Sequence, residues 1–184
     1  AEYQPAMEEV RDGTLAFSKL DILHRRNLNR IRPRFGLEKL REKDCRALNT
    51  AWHRLDAWPD AAKGLKRLRK RFLLAPVSNG NISMMAQLAR HNRFRWDAIL
   101  GAEIAGDYKP KPIVYRAACA ALDLAPQACM MVAAHSYDLK AAAACGLRTA
   151  HVARPNEAGP GTGEKRPNTK GDFGAKGFFD LPRK

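Results

Sequence analysis

From residue 60 onward, segments with helical spacing alternate with short apolar runs, and this alternation restricts the possible folds more than any other feature of the chain. The apolar runs lie at 72–77, 96–100, 129–134 and 149–153, and a helix-like segment precedes each of them. Their side chains do not alternate between apolar and polar, so each run predicts a strand that is buried on both faces. The pattern therefore predicts an α/β fold in which helices cover both faces of a parallel sheet.

Residues 1–56 have a different pattern, without any strand signal. Leucine and isoleucine recur at three- to five-residue steps between positions 20 and 35, and a second amphipathic helix is predicted over 42–55. The segment Trp58-Pro59-Asp60 then interrupts the helical pattern. We therefore predict a small helical cap at residues 1–56 and a Rossmann-like core at residues 57–184.

The charge is strongly basic, with 33 Lys and Arg against 19 Asp and Glu and a net charge of +14. Such an excess raises the possibility of a nucleic-acid partner. The basic residues are concentrated at 25–34 and 63–71, and in the second stretch leucines recur between them at helical intervals. This spacing is typical of a solvated amphipathic helix, and no nucleic-acid-binding motif accompanies it. The sequence therefore does not favour nucleic acid as a partner.

Cysteine usage and hydropathy indicate the cellular compartment. The four cysteines, Cys45, Cys119, Cys129 and Cys145, form no Cys-x-x-Cys pair, which favours free thiols in a reducing cytoplasm. The sequence contains no apolar run of 18 residues and no signal peptide at its start, so we expect no membrane span.

The predicted strand over 72–77 ends in Ser78-Asn79-Gly80-Asn81. A hydroxyl, an amide and a glycine at a strand end, just before a helix, offer several donors to an anion. Ser-Asn-Gly is also an ordinary turn sequence. The fragment by itself therefore leaves both a binding role and a purely structural role open.

Two further polar positions lie near strand ends or helix starts. Lys109 lies between Tyr108 and Pro110, just before a predicted helix over 112–122, and Asp138 falls in the first turn of the helix after the strand 129–134. Each residue also has a purely structural interpretation. Lys109 could be a solvated surface lysine, and Asp138 could be a carboxylate that caps the helix. Because reacting groups of parallel sheets gather at the carboxyl ends of the strands, we expect these side chains to converge.

Taken in order, these segments resemble motifs II, III and IV of the haloacid dehalogenase superfamily. Ser78-Asn79-Gly80-Asn81, Tyr108-Lys109-Pro110 and Met131-Val132-Ala133-Ala134-His135 with Asp138 are most similar to the hydrolytic 2-haloacid dehalogenases (type II). Arg154-Pro155 and Gly159-Pro160-Gly161 are also similar to that group. The resemblance covers nearly the whole chain and implies a Rossmann-like core with a helical cap.

The resemblance implies a two-step covalent reaction on a small 2-halocarboxylate. An aspartate attacks C2 and displaces halide, and water then hydrolyses the resulting ester. Lys109 is implied as the charge partner of that aspartate, and Asp138 as the group that orients Lys109. Ser78 and Asn79, with Gly80 in the turn, are implied to bind the substrate carboxylate or the departing halide.

Water activation is less clearly implied, because the chain departs from the family at motif IV. Ala133 stands where the family often has serine, and His135 where many members have asparagine. His135 is a candidate base, although a polar residue at a strand end is its alternative interpretation. Asp138 is the other candidate for activating water, and the sequence does not distinguish them.

Metal-dependent phosphatases of the superfamily are the main enzymatic alternative. Mg²⁺ needs several hard oxygen ligands, and those phosphatases usually supply acidic residues directly after the motif IV strand. Here that stretch is Ala133-Ala134-His135, with Asp138 as its single nearby carboxylate. We therefore predict a reaction without metal or other cofactor. A non-catalytic basic binding protein on the same core is the second alternative.

The family's nucleophile motif, Asp-x-x-Gly-Thr after an apolar strand, does not occur in the sequence. Asp12-Gly13-Thr14 is the nearest match, but its spacing would place Val10 at the nucleophile position, and Met7-Glu8-Glu9 is not a strand pattern. We expect the chain to begin inside the cap, without the first core strand, and to be inactive as it stands. The family also implies a homodimer.

Overall fold

A computed structural model describes residues 2–168 and 170–181, and it confirms an α/β fold with parallel strands. The helices are α1 (Tyr3–Arg11), α2 (Leu20–Ile31), α3 (Glu42–Asn49), α4 (Ala61–Leu68), α5 (Ile82–His91), α6 (Ala102–Ala105), α7 (Pro112–Ala120) and α8 (Ser136–Ala144). The strands are β1 (Val77–Ser78), β2 (Leu100–Gly101), β3 (Met130–Ala133), β4 (Arg148–Val152) and β5 (Phe173–Ala175).

The strands form two parallel sheets where the sequence predicts one. In the first sheet β1 pairs with β2, and in the second the order is β3-β4-β5. Val77 of β1 and Ala133 of β3 nevertheless pack against the same apolar cluster, which is built around Tyr115 and Leu139. Within the described residues, β1 and β3 are each hydrogen-bonded to a neighbour on one side only.

The strand predicted over 72–77 is largely wrong, since β1 begins only at Val77. Phe72 and Leu73 are 49% and 64% exposed, so their apolar character does not reflect burial in a sheet. Pro76 has no N–H to donate to a neighbouring strand. The short strand β5 has no counterpart in the sequence prediction, and β2 lies at the end of the predicted run 96–100.

The helical character of the first 56 residues is confirmed, with shorter helices than predicted. The helix predicted over 42–55 ends at Asn49 and continues as a 3₁₀ turn, Thr50–Arg54. Met7 and Leu23 share one apolar cluster with Met84 and Tyr108, so the helical segment packs directly on the strand-containing part. The division of the chain at residue 56 stays a prediction.

Several residues of the two basic stretches have partners within the chain. Arg26 lies 2.7 Å from a carboxylate oxygen of Glu9. Arg67, on the solvated face of α4, donates hydrogen bonds to the carbonyl oxygens of Phe179 and Leu181 at 2.7 and 2.8 Å. Leu181 is buried, so the end of the described chain packs on the core. These contacts favour a structural use of the basic residues.

Within residues 2–168 and 170–181, no helix has the length and apolar character needed to cross a membrane. The four cysteines are free thiols, as predicted. Burial, together with the neighbouring Cys129, raises the pKa of Cys119 to about 11, so this thiol stays protonated near neutral pH.

Candidate active site

The first part of the site is the turn that follows β1. The Ser78 hydroxyl oxygen accepts a hydrogen bond from the Gly80 backbone N–H at 3.0 Å, which leaves the hydroxyl proton free for another acceptor. β2 lies so close to this turn that a Cβ on Gly101 would be 2.2 Å from the Ser78 carbonyl oxygen. Gly101 has φ +118°, a conformation that favours glycine. Glycine at this position therefore permits the approach of the two strands.

The donors at the start of α5 are not all available to a ligand. The first helical N–H, that of Ile82, donates to a carboxylate oxygen of Glu103 at 2.7 Å. Glu103 also pairs with Lys19. One donor of the helix start that the sequence suggests as part of an anion site is thus already engaged by a carboxylate of the chain.

Asn79 connects the turn to Lys109. Its side-chain oxygen accepts a hydrogen bond from the Lys109 backbone N–H at 2.8 Å, and its amide nitrogen lies 3.4 Å from the Met7 sulfur. Thioether sulfur is a weak acceptor, so the Asn79 amide N–H groups retain donor capacity. Asn79 therefore positions the Lys109 backbone and keeps a donor for a ligand.

Lys109, Asp138 and Tyr115 form the most buried polar cluster of the site. The Lys109 Nζ atom lies 2.6 Å from Asp138 Oδ2, and the Tyr115 hydroxyl donates to Asp138 Oδ1 at 2.5 Å. The side chains of Lys109 and Asp138 are 15% and 5% exposed. Charge-assisted hydrogen bonds of this kind are short and directional. With both carboxylate oxygens engaged, Asp138 holds the Lys109 ammonium group in one position.

Tyr115 is a site residue that the sequence reasoning missed. Burial raises its pKa, and the bond to Asp138 adds to that effect, so the hydroxyl keeps its proton and remains a donor. Its position in the sequence could have identified it, because it lies in the first turn of the helix that follows Lys109. A tyrosine hydroxyl on a buried, apolar helix face needs a hydrogen-bond partner.

His135 is not part of this cluster. Its Nε2 atom lies 2.8 Å from Glu157 Oε2, its side chain is 42% exposed, and its ring stacks on that of Tyr137. The structure thus brings Asn79, Lys109 and Asp138 together, with Ser78 and Gly80 in the adjoining turn, and places His135 in a separate pair with a loop carboxylate. Its assignment as a base stays a prediction.

Asp12 lies in a turn at the end of α1, which agrees with the prediction that Asp12-Gly13-Thr14 is not the nucleophile motif. Its Oδ1 atom accepts a hydrogen bond from the Thr14 backbone N–H at 2.8 Å. The hydrogen bonds from Thr14 hold the pKa of the Asp12 carboxyl below its usual value. This is local turn geometry after a helix, and not a carboxylate at the end of a strand.

A pocket of about 240 Å³ opens beside the Ser78 turn. Ser78 and Gly80 form part of one wall, and Leu20, His24 and Trp52 of the helical segment form part of the other. Sequence reasoning identified none of the three residues on the helical side. The spacing of Leu20 and of Trp52 along the chain indicates only the apolar face of a helix, which is also what an ordinary core requires.

The two walls of the pocket are joined by Asp21. Its carboxylate accepts a hydrogen bond from the Asn81 amide at 3.0 Å, and its backbone N–H donates back to the Asn81 side-chain oxygen at 3.2 Å. His53 Nε2 lies 3.0 Å from each Asp21 carboxylate oxygen. These contacts join α2, the turn after α3 and the residue after Gly80. They hold the helical segment against the Ser78 turn.

The loop after β4 is attached to the start of α8 through Glu164. Its carboxylate accepts hydrogen bonds from the backbone N–H of Ser136, at 3.0 Å, and from the Ser136 hydroxyl. Burial by itself would raise the pKa of Glu164, but these bonds and the neighbouring His151 hold the pKa below its ordinary value of 4.5. The charged carboxylate therefore stabilises this loop.

The lowered pKa of Glu164 predicts a pH-dependent contribution to stability. A carboxyl whose pKa is lower in the folded protein stabilises the fold above its unfolded pKa, and the contribution is lost as the pH falls through the folded pKa. We expect Glu164→Gln to lower the melting temperature near pH 7 and to have a smaller effect near about pH 3. Thermal unfolding followed by circular dichroism measures both values. The exposed Glu38→Gln is the control, and an equal Glu164→Gln effect at both pH values contradicts the prediction.

Within the described residues, no three His, Cys, Asp or Glu side chains are grouped closely enough to hold a metal ion. A family model described as haloacid dehalogenase-like hydrolase matches residues 7–146.

Relatives and solved structures extend this similarity. The chain is 33% identical over 126 residues to (S)-2-haloacid dehalogenase 1 of Pseudomonas sp. (strain CBS-3). The aligned region covers 67% of the chain and 55% of that protein. It is 32% identical over 110 residues to (S)-2-haloacid dehalogenase 4A of Burkholderia cepacia, covering 58% of the chain and 48% of that protein. The chain thus spans about half the length of these curated relatives. The crystal structure of the L-2-haloacid dehalogenase PA0810 superposes with a TM-score of 0.94 at 45% identity, over 98% of the chain and 79% of that protein.

Proposed function

Since this chain belongs to the haloacid dehalogenase-like hydrolases and, within them, to the 2-haloacid dehalogenases, we propose that it provides the substrate site and charge machinery for hydrolytic dehalogenation of small 2-haloalkanoic acids. The observation that carries the proposal is the buried ion pair of Lys109 with Asp138, which lies beside Asn79 in the cluster described above. An ammonium group held in one position by a carboxylate suits a reaction whose substrate and nucleophile are both anions.

The proposed reaction has two steps that together consume one water. An aspartate carboxylate attacks C2 of the substrate, a carbon–oxygen bond forms, and halide leaves with the bonding electrons. Water then attacks the ester carbonyl carbon, which releases a 2-hydroxy acid and a proton and restores the carboxylate. The net products are a 2-hydroxy acid, halide and a proton.

The attacking aspartate requires a further strand, since Asp-x-x-Gly-Thr does not occur in the sequence. β1 and β3 pack on the same apolar cluster, and in the described residues each has a hydrogen-bonding edge without a strand neighbour. A parallel strand that pairs with these edges would end beside Ser78 and Ala133. This position would place its terminal carboxylate near the Lys109 ammonium group.

The chain's own residues have distinct roles in this proposal. The Lys109 ammonium group lowers the electrostatic cost of bringing the anionic substrate to the aspartate, and Asp138 with Tyr115 keeps that group in position. Ser78 and Asn79 donate to the substrate carboxylate or the departing halide. The Ser78 hydroxyl oxygen accepts from Gly80 and keeps its proton for a ligand, and the Asn79 amide nitrogen lies beside the weak acceptor Met7 sulfur. Either Asp138 or His135 activates the water. Substituting each residue in turn and measuring halide release distinguishes them.

Halide release is the direct test of this function. The chain is expressed behind a strand and turn that carry Asp-x-x-Gly-Thr, and we call this the complemented protein. We expect it to release chloride from L-2-chloropropionate at a rate that EDTA does not change, because the displacement at carbon uses no metal. The chain alone, and the complemented protein with asparagine in place of the added aspartate, serve as controls without activity.

Two results would contradict the dehalogenase proposal. Hydrolysis of phosphate esters that depends on Mg²⁺, with no halide release, would instead assign the chain to the phosphatases of the superfamily. Binding of DNA or RNA with an affinity that falls linearly in log salt would favour the non-catalytic basic protein. The cytoplasmic location, inferred from the cysteines, and the homodimer, implied by the family, both stay predictions.

A further inference from the structure

A second cavity, of about 470 Å³, is formed by α5 and the 3₁₀ turn Thr50–Arg54. Its walls are the side chains of His53, Arg54, Gln87, Arg90 and His91, and the pocket beside Ser78 has different lining residues. The proposed reaction uses none of these five side chains. Cavities of this size hold small molecules in many proteins. A halide ion or a single water would fill only a small part of it.

Arg54 is held in place at one wall of the cavity. Its Nη1 atom donates to the carbonyl and hydroxyl oxygens of Thr50 at 3.2 and 3.4 Å, and its Nη2 atom donates to the Ala47 carbonyl oxygen at 3.2 Å. These acceptors are uncharged, so they orient the guanidinium group without neutralising it. A guanidinium group has five N–H donors, and the remaining ones are available to a ligand.

Gln87 and Arg90 line the cavity from the other side. They lie three residues apart on α5, so their side chains share one face of the helix. Both are exposed, and within the part of the chain that the structure describes neither side chain has a hydrogen-bond or ion-pair partner. The cavity is therefore lined by a fixed arginine from the turn and by an arginine and an amide from α5 that are free to bind.

The charge of the cavity is favourable to an anion because of its arginines. The carboxylates that contact its walls lie on the histidines, with Asp56 2.8 Å from His91 and Asp21 3.0 Å from His53. Arg90 belongs to the last turn of α5, where the carbonyl groups carry partial negative charge. Since the helix end and Asp56 both oppose an anion, the two guanidinium groups must supply the attraction.

We propose that this cavity binds a small molecule through a phosphate group, with Arg54 and Arg90 as its charged ligands and Gln87 as a further donor. A guanidinium group donates two parallel hydrogen bonds to an oxyanion. A carboxylate presents a single edge to such a pair of donors, whereas a phosphate group presents several edges and can accept from arginines on two elements. The rest of the cavity is available to the organic part of the ligand. This site is independent of the proposed dehalogenase function.

Titration calorimetry on the chain alone tests the proposal, with phenyl phosphate as the probe. Benzoate is the singly charged analogue, and ionic strength is kept constant because salt screens exposed charges. At about pH 7.5 a phosphate monoester carries close to two negative charges. We expect phenyl phosphate to bind and benzoate to bind about tenfold more weakly or not at all.

Arg90→Gln is the decisive variant, because the Arg90 side chain has no partner in the described chain and its loss should not disturb folding. It is expected to weaken phenyl phosphate binding by about tenfold or more. Arg90→Lys keeps the charge but loses the paired donors, so an intermediate affinity is expected. Arg116→Gln, at an exposed arginine of α7, makes the same change of net charge outside the cavity and should leave the affinity unchanged.

Several results would overturn the proposal. These are an equal affinity in the parent chain and a folded Arg90→Gln variant, an equal loss in Arg116→Gln, or equal binding of phenyl phosphate and benzoate. A phosphate group can also belong to nucleic acid. A single-stranded oligonucleotide that binds when phenyl phosphate does not would assign recognition to an extended basic surface, and the cavity site would be refuted.

Halide release by the complemented protein shows whether the cavity is a separate site. Arg90→Gln is expected to leave kcat and KM for L-2-chloropropionate unchanged, because Arg90 does not line the pocket beside Ser78. A clear loss of kcat in this variant would contradict a site separate from the reaction. If no halide is released but phenyl phosphate binds through Arg90, the dehalogenase function fails and the phosphate site stands.

Discussion

Lys109→Met in the complemented protein is expected to lower kcat for halide release by on the order of a thousandfold. Methionine keeps most of the side-chain volume but removes the ammonium group that lies 2.6 Å from Asp138. Without it, the anionic substrate and the attacking carboxylate repel each other in a site with little solvent. The effect should appear in kcat as well as in kcat/KM, because the ammonium group offsets the repulsion between the two anions as they approach to form the new carbon–oxygen bond. Chloride release under single-turnover conditions measures it.

The matched control for this variant is Lys111→Met. Lys111 is an exposed lysine two positions along the same segment, so its replacement should leave the rate nearly unchanged. Lys109→Met also leaves a buried carboxylate without its cation, so Lys109→Met combined with Asp138→Asn provides a neutral pair if the single variant is unstable. A rate within about threefold of the parent protein in a folded Lys109 variant would remove this residue from the mechanism.

Asp138→Ala is expected to reduce the free energy of unfolding by about 3–5 kcal/mol. The change removes the acceptor of both the Lys109 ammonium group and the Tyr115 hydroxyl, and it leaves these two donors buried without a partner. Since this prediction concerns the fold and not turnover, it is measured on the chain alone by urea denaturation. The exposed Asp56, whose side chain is 94% exposed in its pair with His91, provides the control Asp56→Ala, which should change stability little.

A double-mutant cycle strengthens the Asp138 test. If Lys109 and Asp138 interact as the distances indicate, Lys109→Met and Asp138→Ala together should cost less than the sum of the single changes. Strict additivity would show that the two side chains do not stabilise each other. A loss of less than about 1 kcal/mol for Asp138→Ala would mean that water replaces the missing carboxylate.

The strand-end residues were predictable because their signal is local. An apolar run followed by Ser78-Asn79-Gly80, and a strand followed by a helix with Asp138 in its first turn, can be recognised within about ten residues of sequence. Parallel strands present their carboxyl ends at one edge of a sheet, so convergence of these groups follows from the fold class. The cluster of Asn79, Lys109 and Asp138 agrees with that expectation.

The errors arose where the tertiary structure overrides the local pattern. Phe72 and Leu73 are as apolar as a buried strand requires, yet they lie at the surface, and the backbone N–H of Leu74 bonds to the side chain of Asp97. β5 forms in a segment without a strand signal, because β4 presents an open edge to Phe173–Ala175. Pairing partners so far apart in sequence leave no trace in the spacing of either segment.

The sequence alone determined the fold class, the positions of the polar strand ends and the resemblance to the haloacid dehalogenases. All three depend on side-chain spacing along short segments, which the chain carries whatever its tertiary contacts are. Only the tertiary structure decided that Tyr115 completes the Lys109–Asp138 cluster and that residues of the helical segment line the pocket beside Ser78. Tyr115 and Asp138 lie 23 positions apart, and hydrogen bonding over such a separation depends on how the elements pack and not on the local pattern.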